Sequence, residues 1–497
     1  MLLVVPFGCD GGTGLRPSDS DPGAGADPDA TGMLPCSALR PLADLPVLVP
    51  WQTDLPYFSP DRSWLLLQVR GDPDRLLRVE LPSGKVTTVV EALNAVQPLA
   101  SGGPFLLLGT GSSGHETAIY DGKEVRTLLS DSSCRSQPSP DGTRLYVVGP
   151  CVGEDNGLVA IDVGTGSVST VDPRARMATT WAIVVSPNGQ WVAYTTGDYD
   201  VDNRTIAVAN VAGESYTIAS VRGVVLLAFV ADDFLVFHTG GKVDFHGDIR
   251  GHVPGSGDTS FLVASDLWVG AGYPYYHYEF SPDRTRVLAA KIPVSSDTPV
   301  KVQLYSVPLR GGEPQLLVKD WIMPGSYIAY PCSFDSQGNY VVYLSPRDGD
   351  PESYTTWVVD TQGSTPRKLA DGSAGLIPAT SSVLIFDTAT DGRYRLRVAD
   401  FATLRDRLSY SSRNQLIYAS PLRGDQALLF GEYDGSTMQA RFMSLSRPQP
   451  VLLGAWNETS CRGCSFLPLQ PDPTGCFTVV NTDAAPGPGT RLVLLPE

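Results

Sequence analysis

The apolar residues of this chain fall in short runs, and each run is entered through the same kind of turn. Leu145-Tyr146-Val147-Val148 follows Ser139-Pro140-Asp141-Gly142, and Trp64-Leu65-Leu66-Leu67 follows Phe58-Ser59-Pro60-Asp61. Trp191-Val192-Ala193-Tyr194 follows Ser186-Pro187-Asn188-Gly189, and Val287-Leu288-Ala289 follows Phe280-Ser281-Pro282-Asp283. Weaker copies are Phe334-Asp335-Ser336-Gln337-Gly338 before Tyr340-Val341-Val342-Tyr343, and Ser420-Pro421 before Ala427-Leu428-Leu429-Phe430. Proline and glycine preset the turn dihedrals and the Asp side chain caps the turn backbone, so the pattern predicts strand, tight turn, strand. Stretches with helical periodicity are almost absent.

From Leu42 onward the pattern repeats every ~40 to 54 residues, a period that signals a propeller or solenoid. In the clearest unit, Leu145 to Val148 is followed by Leu158 to Asp162, the turn Gly164-Thr165-Gly166, and Val168 to Val171. With the strand entering the first turn, that makes four antiparallel strands, one propeller blade. Second strands recur near Leu65, Phe105, Leu145, Trp191, Phe234, Val287, Tyr340, Val383, Ala427 and Phe477. The expected fold is therefore all-β, a β-propeller of about ten four-stranded antiparallel units. One large closed ring is favoured because Leu45-Pro46-Val47-Leu48-Val49 is placed to add the missing strand to the last unit, hiding its edges. Eight blades with elaborations, or two propellers, are the alternatives. The propeller occupies residues 42–497, after a signal-like segment at 1–9 and a linker at 10–41.

An aromatic or apolar residue, Ser-Pro-Asp-Gly, two further residues and a β run, repeated at this spacing, resembles the TolB-like β-propeller repeat of bacterial envelope proteins. The resemblance covers nearly everything after residue 42 and implies a periplasmic interaction scaffold. No separate α/β domain precedes the propeller, as it does in that family's namesake. Propellers of the prolyl oligopeptidase family have similar repeats, but they carry a hydrolase domain with a Gly-x-Ser-x-Gly elbow, which this chain lacks.

Charge and cysteine placement narrow the setting. A net charge of −16 argues against nucleic acid, whose phosphates need clustered Lys and Arg. The opening MLLVVPFGC resembles a bacterial lipoprotein signal, with Cys9 as the lipidated residue, and the Gly/Ala/Pro/Asp-rich tract after it is a tether that cannot bury apolar surface. The expected membrane contact is that N-terminal lipid, since no later segment holds the ~18 uninterrupted apolar residues of a spanning helix. Cys134 and Cys151 flank one predicted hairpin, and Cys461, Cys464 and Cys476 flank another, so disulfides are expected there. With Cys9 lipidated, seven of the eight cysteines remain, which leaves one thiol over.

Few residues carry a chemical signal. Gly109-Thr110-Gly111-Ser112-Ser113-Gly114 matches a dinucleotide fingerprint, but a strand-like run follows it where a helix is required. Asp198, Asp200 and Asp202 alternate in one loop, a pattern able to wrap oxygens around Ca2+, although EF-hand spacing fails. His238, His246 and His252 lie in a Gly-rich stretch with Asp244 and Asp248, in no established zinc spacing, and Tyr275 and Tyr276 sit in the aromatic run that follows. These histidines and tyrosines are the candidate binding rim. No cofactor is expected other than that Ca2+. The function expected is a lipid-anchored binding or scaffold module of the bacterial cell envelope with a protein or glycan partner, or the same module secreted without an anchor. The alternative is a glycan-cleaving enzyme with its site at the propeller mouth.

Overall fold

The computed structural model describes residues 57–495 except 60, 62, 70–73, 82, 100–103, 111–115, 131–134, 149–156, 176–182, 197–203, 222–223, 241–246, 258, 268–278, 292–300, 323–331, 336, 348–349, 377–379, 381, 390, 402, 404, 423–424, 458–476 and 483–488. Among the described residues there is no helix, and the fold is a β-propeller of nine four-stranded antiparallel blades. Eight blades are complete four-stranded sheets in chain order. The sixth has three strands, Arg286–Lys291, Lys301–Pro308 and Gln315–Ile322. Phe280, bridged to Val287, stands as its fourth, with the Leu288 amide donating to the Glu279 carbonyl at 2.9 Å. A tenth unit follows the nine blades as a two-stranded hairpin, Phe477–Thr482 with Gly489–Leu494. The expectation of about ten four-stranded units is thus met closely, by nine blades and a hairpin. The residues expected to complete the last unit, 45–49, lie outside those described.

The second strand of a blade holds an apolar run because both its faces are covered. In Trp191–Thr196, Val192 and Tyr194 pack with Tyr146, Leu158 and Val171 of the third blade. Ala193, between them, packs with Leu235 and Phe237 of the fifth. Successive side chains point to opposite faces of a sheet, so a strand enclosed on both sides must be apolar at odd and even positions alike. Each such buried Val or Leu contributes about 1.5–3 kcal/mol. The same pairing joins the fifth and sixth blades through Phe234, Val236 and Val287, and the eighth and ninth through Leu408 and Phe430.

The chain divides into two compact units. Residues 115–119 and 126–370 form one, which holds blades three to seven. Residues 1–114, 120–125 and 371–497 form the other, whose described part holds the first, eighth and ninth blades and the hairpin.

The repeated turn joins the first and second strands of its blade. At Ser139, the amide donates to the Arg144 carbonyl (2.9 Å), the Arg144 amide returns a bond to Ser139 Oγ (3.0 Å), and Ser139 Oγ donates to Asp141 Oδ1 (2.5 Å). Asp141 also accepts from the Thr143 amide (3.1 Å) and hydroxyl (2.9 Å). Asp283 receives the same bonds from Ser281 and Thr285, and Asn188 takes this place in the fourth blade, accepting from Ser186 and the Gln190 amide. Gly142 and Gly189 have φ of 69° and 66°, the left-handed region that glycine enters without a Cβ penalty. Arg284 occupies that position in the sixth blade at φ 54°. Two weaker copies diverge. Asp335 stands where serine stands elsewhere, and its carboxylate accepts from both the Asn339 and Tyr340 amides. Ser420 and Pro421 lie within the strand Gln415–Leu422, opposite Leu429 and Leu428, so the turn comes after them.

Candidate functional site

The chemistry-bearing residues that the sequence singled out and the structure describes meet in the fifth blade, where His238 and His252 occupy neighbouring strands. Leu235 pairs with His252 and His238 with Ile249, so the histidines are three residue pairs apart, roughly 10 Å along the strands. They also face opposite sides. His238 shares its parity with Phe234 and Val236, which pack toward the sixth blade, whereas His252 lies opposite Leu235, which packs toward the fourth. One ion cannot be held by both.

Both imidazoles are buried and bonded. His238 Nε2 lies 3.0 Å from the Leu267 carbonyl, and burial pulls its pKa below the usual imidazole value against the opposing effects of that bond and of Asp248. His252 Nδ1 is 2.8 Å from the Thr259 carbonyl and its Nε2 is 3.2 Å from Tyr216 Oη. Burial also lowers this histidine, against the Thr259 bond. Tyr216 extends the cluster into the fourth blade, with its ring edge-on to both His252 (5.7 Å) and Trp191 (6.5 Å). Its hydroxyl accepts from the Gly255 amide at 2.8 Å.

On the other face, Phe261 of the outer strand Phe261–Ala264 stacks on Phe234, ring centroids 5.8 Å apart. It crosses Gly251, where a Cβ would come within 2.5 Å of the Phe261 ring and 2.9 Å of Phe234, so only glycine admits this stack. The Arg310 guanidinium covers the Phe234 ring at 4.7 Å and pairs with Asp233 at 3.2 Å. Phe261 remains 41% exposed and the adjacent Leu262 52%, two large apolar side chains on opposite faces of one outer strand.

Three buried carboxylates that the sequence did not single out lie in the eighth and ninth blades. Asp387 is gripped by Arg395 through Nε (2.7 Å) and Nη2 (2.8 Å) and by Arg397 Nη2 (2.9 Å). Asp425 accepts from Ser382 and Arg407, and Glu432 from Ser412, Tyr410, Asn414 and Arg441. Asp425 precedes the strand Ala427–Tyr433 and Glu432 lies near its end, and each holds a residue of the preceding blade. Two-pronged arginine grips of this kind are strong and geometrically fixed. Arg395 and Arg397, two positions apart on a strand that pairs with the strand of Asp387, were the available signal. Asp172, between the third and fourth blades, behaves alike. Burial pushes its carboxyl up, but bonds from Arg174 and Tyr194 outweigh this and leave it below the usual carboxylate range.

Among the described residues, no group of three His, Cys, Asp or Glu side chains is placed to hold a metal. Asp198, Asp200, Asp202, His246, Tyr275 and Tyr276 lie outside those described, as do Cys9, Cys134, Cys151, Cys461, Cys464 and Cys476. Gly109, first glycine of the nucleotide-like run, ends the strand Phe105–Thr110 with its backbone against the Asn94 side chain, and the next described residues form the strand Glu116–Tyr120. The helix that would make this run a phosphate site is replaced by a strand.

No protein-family model matches the chain, and no curated protein does. Solved structures resemble it distantly. A crystal structure of a eukaryotic initiation factor is 12% identical, with TM-score 0.49, covering 82% of this chain and 98% of that one. Dipeptidyl peptidase 4 of Porphyromonas gingivalis is 12% identical, with TM-score 0.46, over 80% of this chain and 66% of that one. TolB from Acinetobacter baumannii is 14% identical, with TM-score 0.27, over 61% and 77%. No sequence relationship to a TolB-like lipoprotein family accompanies these likenesses.

Proposed function

We propose that this β-propeller is a binding or scaffold protein of the bacterial cell envelope, held to a membrane by a lipid on Cys9, with an envelope protein or glycan as its partner. The observation that carries the binding reading is the outer strand of the fifth blade, which exposes a large apolar side chain on each face, Phe261 on one and Leu262 on the other. Exposed apolar side chains on an outer strand gain by being covered, at about 25 cal/mol per Å² removed from water. The described turn carboxylates, each bonded to its own turn backbone, support a scaffold built by repetition. For the anchor, the support is the apolar run ending at Gly8-Cys9 and the acidic tether after it.

The test uses the full chain in a bacterial host, with a photo-crosslinker in place of Leu262 or, as control, of the exposed Val168 on the third blade. The expected result is one discrete envelope adduct from position 262 only, together with membrane association that Cys9→Ser abolishes. Equal labelling from both positions overturns the binding reading, and a Cys9→Ser chain that fractionates with the membrane like the parent overturns the anchor.

A further inference from the structure

The connection that leaves His252 for the outer strand of the fifth blade is tied to the fourth blade through a chain of hydrogen bonds whose direction is fixed. A carbonyl can only accept, so His252 Nδ1, 2.8 Å from the Thr259 carbonyl, carries the ring hydrogen. In the neutral ring Nε2 is then an acceptor. An amide can only donate, so the Gly255 N–H points at Tyr216 Oη, 2.8 Å away, and the phenolic hydrogen is free to point at Nε2 across 3.2 Å. The relay runs from Gly255 N–H to Tyr216 O–H to His252 Nε2, and from His252 Nδ1–H to Thr259. In this direction it runs only with a neutral His252.

We propose that residues 253–257 form a strap held over Trp191 by this relay, and that acid unlatches it. The Gly255 backbone lies on the indole, since a Cβ there would sit 3.5 Å from Trp191 Cζ2. Gly255 and Gly257, at φ 84° and 93°, supply the bends. A proton on Nε2 turns that atom into a donor, so the phenolic hydrogen loses its acceptor and must turn away, and the phenolic oxygen, which already accepts from Gly255, is left to accept from both sides. The new charge would lie in a residue with no exposed surface.

The charged groups around the relay do not stabilise an imidazolium. Glu214, beside Tyr216, acts on the phenol. Arg250, on the strand of His252, is a cation tied to Ser260 and paired with Asp248 at 4.0 Å. Burial accordingly holds His252 below the ordinary imidazole value, with the Thr259 bond opposing. For a group depressed in the closed state, the latch is at full strength above the open-state value of about 6.5 and weakens as pH falls from there to the closed-state value. Unlatching bares the Trp191 indole and the Tyr216 hydroxyl to the medium.

Hydrogen exchange of the full-length protein, corrected for the intrinsic pH dependence of exchange, tests this. Peptides spanning 253–257 should be protected at about pH 7.5 and lose about tenfold or more of that protection at about pH 5, while peptides from the eighth and ninth blades keep theirs. Tyr216→Phe keeps the ring and removes the relay, so its strap should exchange fast at both pH values. Strap protection in the parent that does not change with pH overturns the proposal, as does a Tyr216→Phe strap that keeps the parental pH response. Because the variant could perturb the blade, the His252 ring is also titrated by NMR in the parent. A midpoint below about 6.5 agrees with the latch, and one at or above it overturns the latch.

Discussion

Tyr146, on the second strand of the third blade, donates its hydroxyl hydrogen to the carbonyl of Gly189, 2.8 Å away in the repeated turn of the fourth blade. The turn is thus held from within by its own Ser and Asn side chains and from outside by the neighbouring blade. Tyr146→Phe leaves the ring packing in place and deprives that carbonyl of its donor. The expected cost is about 1 kcal/mol, the usual net worth of one such bond. Denaturant unfolding should show a lower midpoint with an unchanged slope.

Asp141 gives a pH-dependent counterpart. Burial pushes its carboxyl up, and the bonds from Ser139 and Thr143 outweigh that, so it stays below the ordinary carboxylate value. A depressed carboxylate stabilises fully above its unfolded value of about 3.9, and the contribution fades as pH falls below it. Asp141→Ala should therefore cost about 1 kcal/mol at neutral pH and a diminishing amount as pH drops below about 4. Partner binding should be unchanged, because the side chain serves only its turn. A variant that unfolded like the parent but failed to bind would show the turn to be functional.

Glu432 is a harsher case. Its carboxylate is almost fully enclosed and answers Arg441, Ser412, Tyr410 and Asn414 together. Glu432→Leu leaves a guanidinium and several polar groups without their acceptor, a loss of about 3–5 kcal/mol by the usual scale for breaking one side of a buried pair. Glu432→Gln, which keeps the shape and one acceptor oxygen, should recover part of it. Thermal unfolding of both variants measures the difference.

Cys332 is free and buried, and burial raises its thiol well above the ordinary range. It should resist thiol reagents in the folded protein and react once the chain is denatured. Cys134 directly precedes Arg135, which pairs with Val148, and Cys151 comes three residues after Val148, so both flank the paired end of one hairpin. A disulfide between them closes a loop of roughly 18 residues and should contribute about 3 kcal/mol. Peptide mapping of the oxidised protein checks the link. Two free thiols there under oxidising conditions exclude it.

The blade pattern was legible because its determinants are local. Ser139, Asp141 and Gly142 act on atoms within five residues of themselves, and alternate side chains of runs such as Trp191 to Tyr194 report two covered faces. The seventh-blade turn read as a weak copy because Asp335 takes over the work of the usual serine. Ser420-Pro421 misled because a proline is equally at home in an edge strand such as Gln415–Leu422, which pairs on one side only. The histidines of the fifth blade were seen, but their burial on opposite faces depends on which pleat each occupies. Neither that nor the grip on Asp425 and Glu432 by the preceding blade is written in any short stretch. Those contacts join residues 18 to 43 positions apart.

The interruption of one compact unit by the other bears on how the protein comes into being. Residues 126–370 are contiguous, hold blades three to seven, and form one unit together with residues 115–119 just upstream. The first blade, in contrast, belongs with strands that begin at residue 372. Chains emerge from the ribosome N-terminus first and their domains tend to fold as they appear. Here the segment made earliest must wait through some 245 residues of its successor before its companions exist. The middle of the chain is therefore expected to fold first, with the nascent N-terminal strands exposed meanwhile to chaperones or export factors.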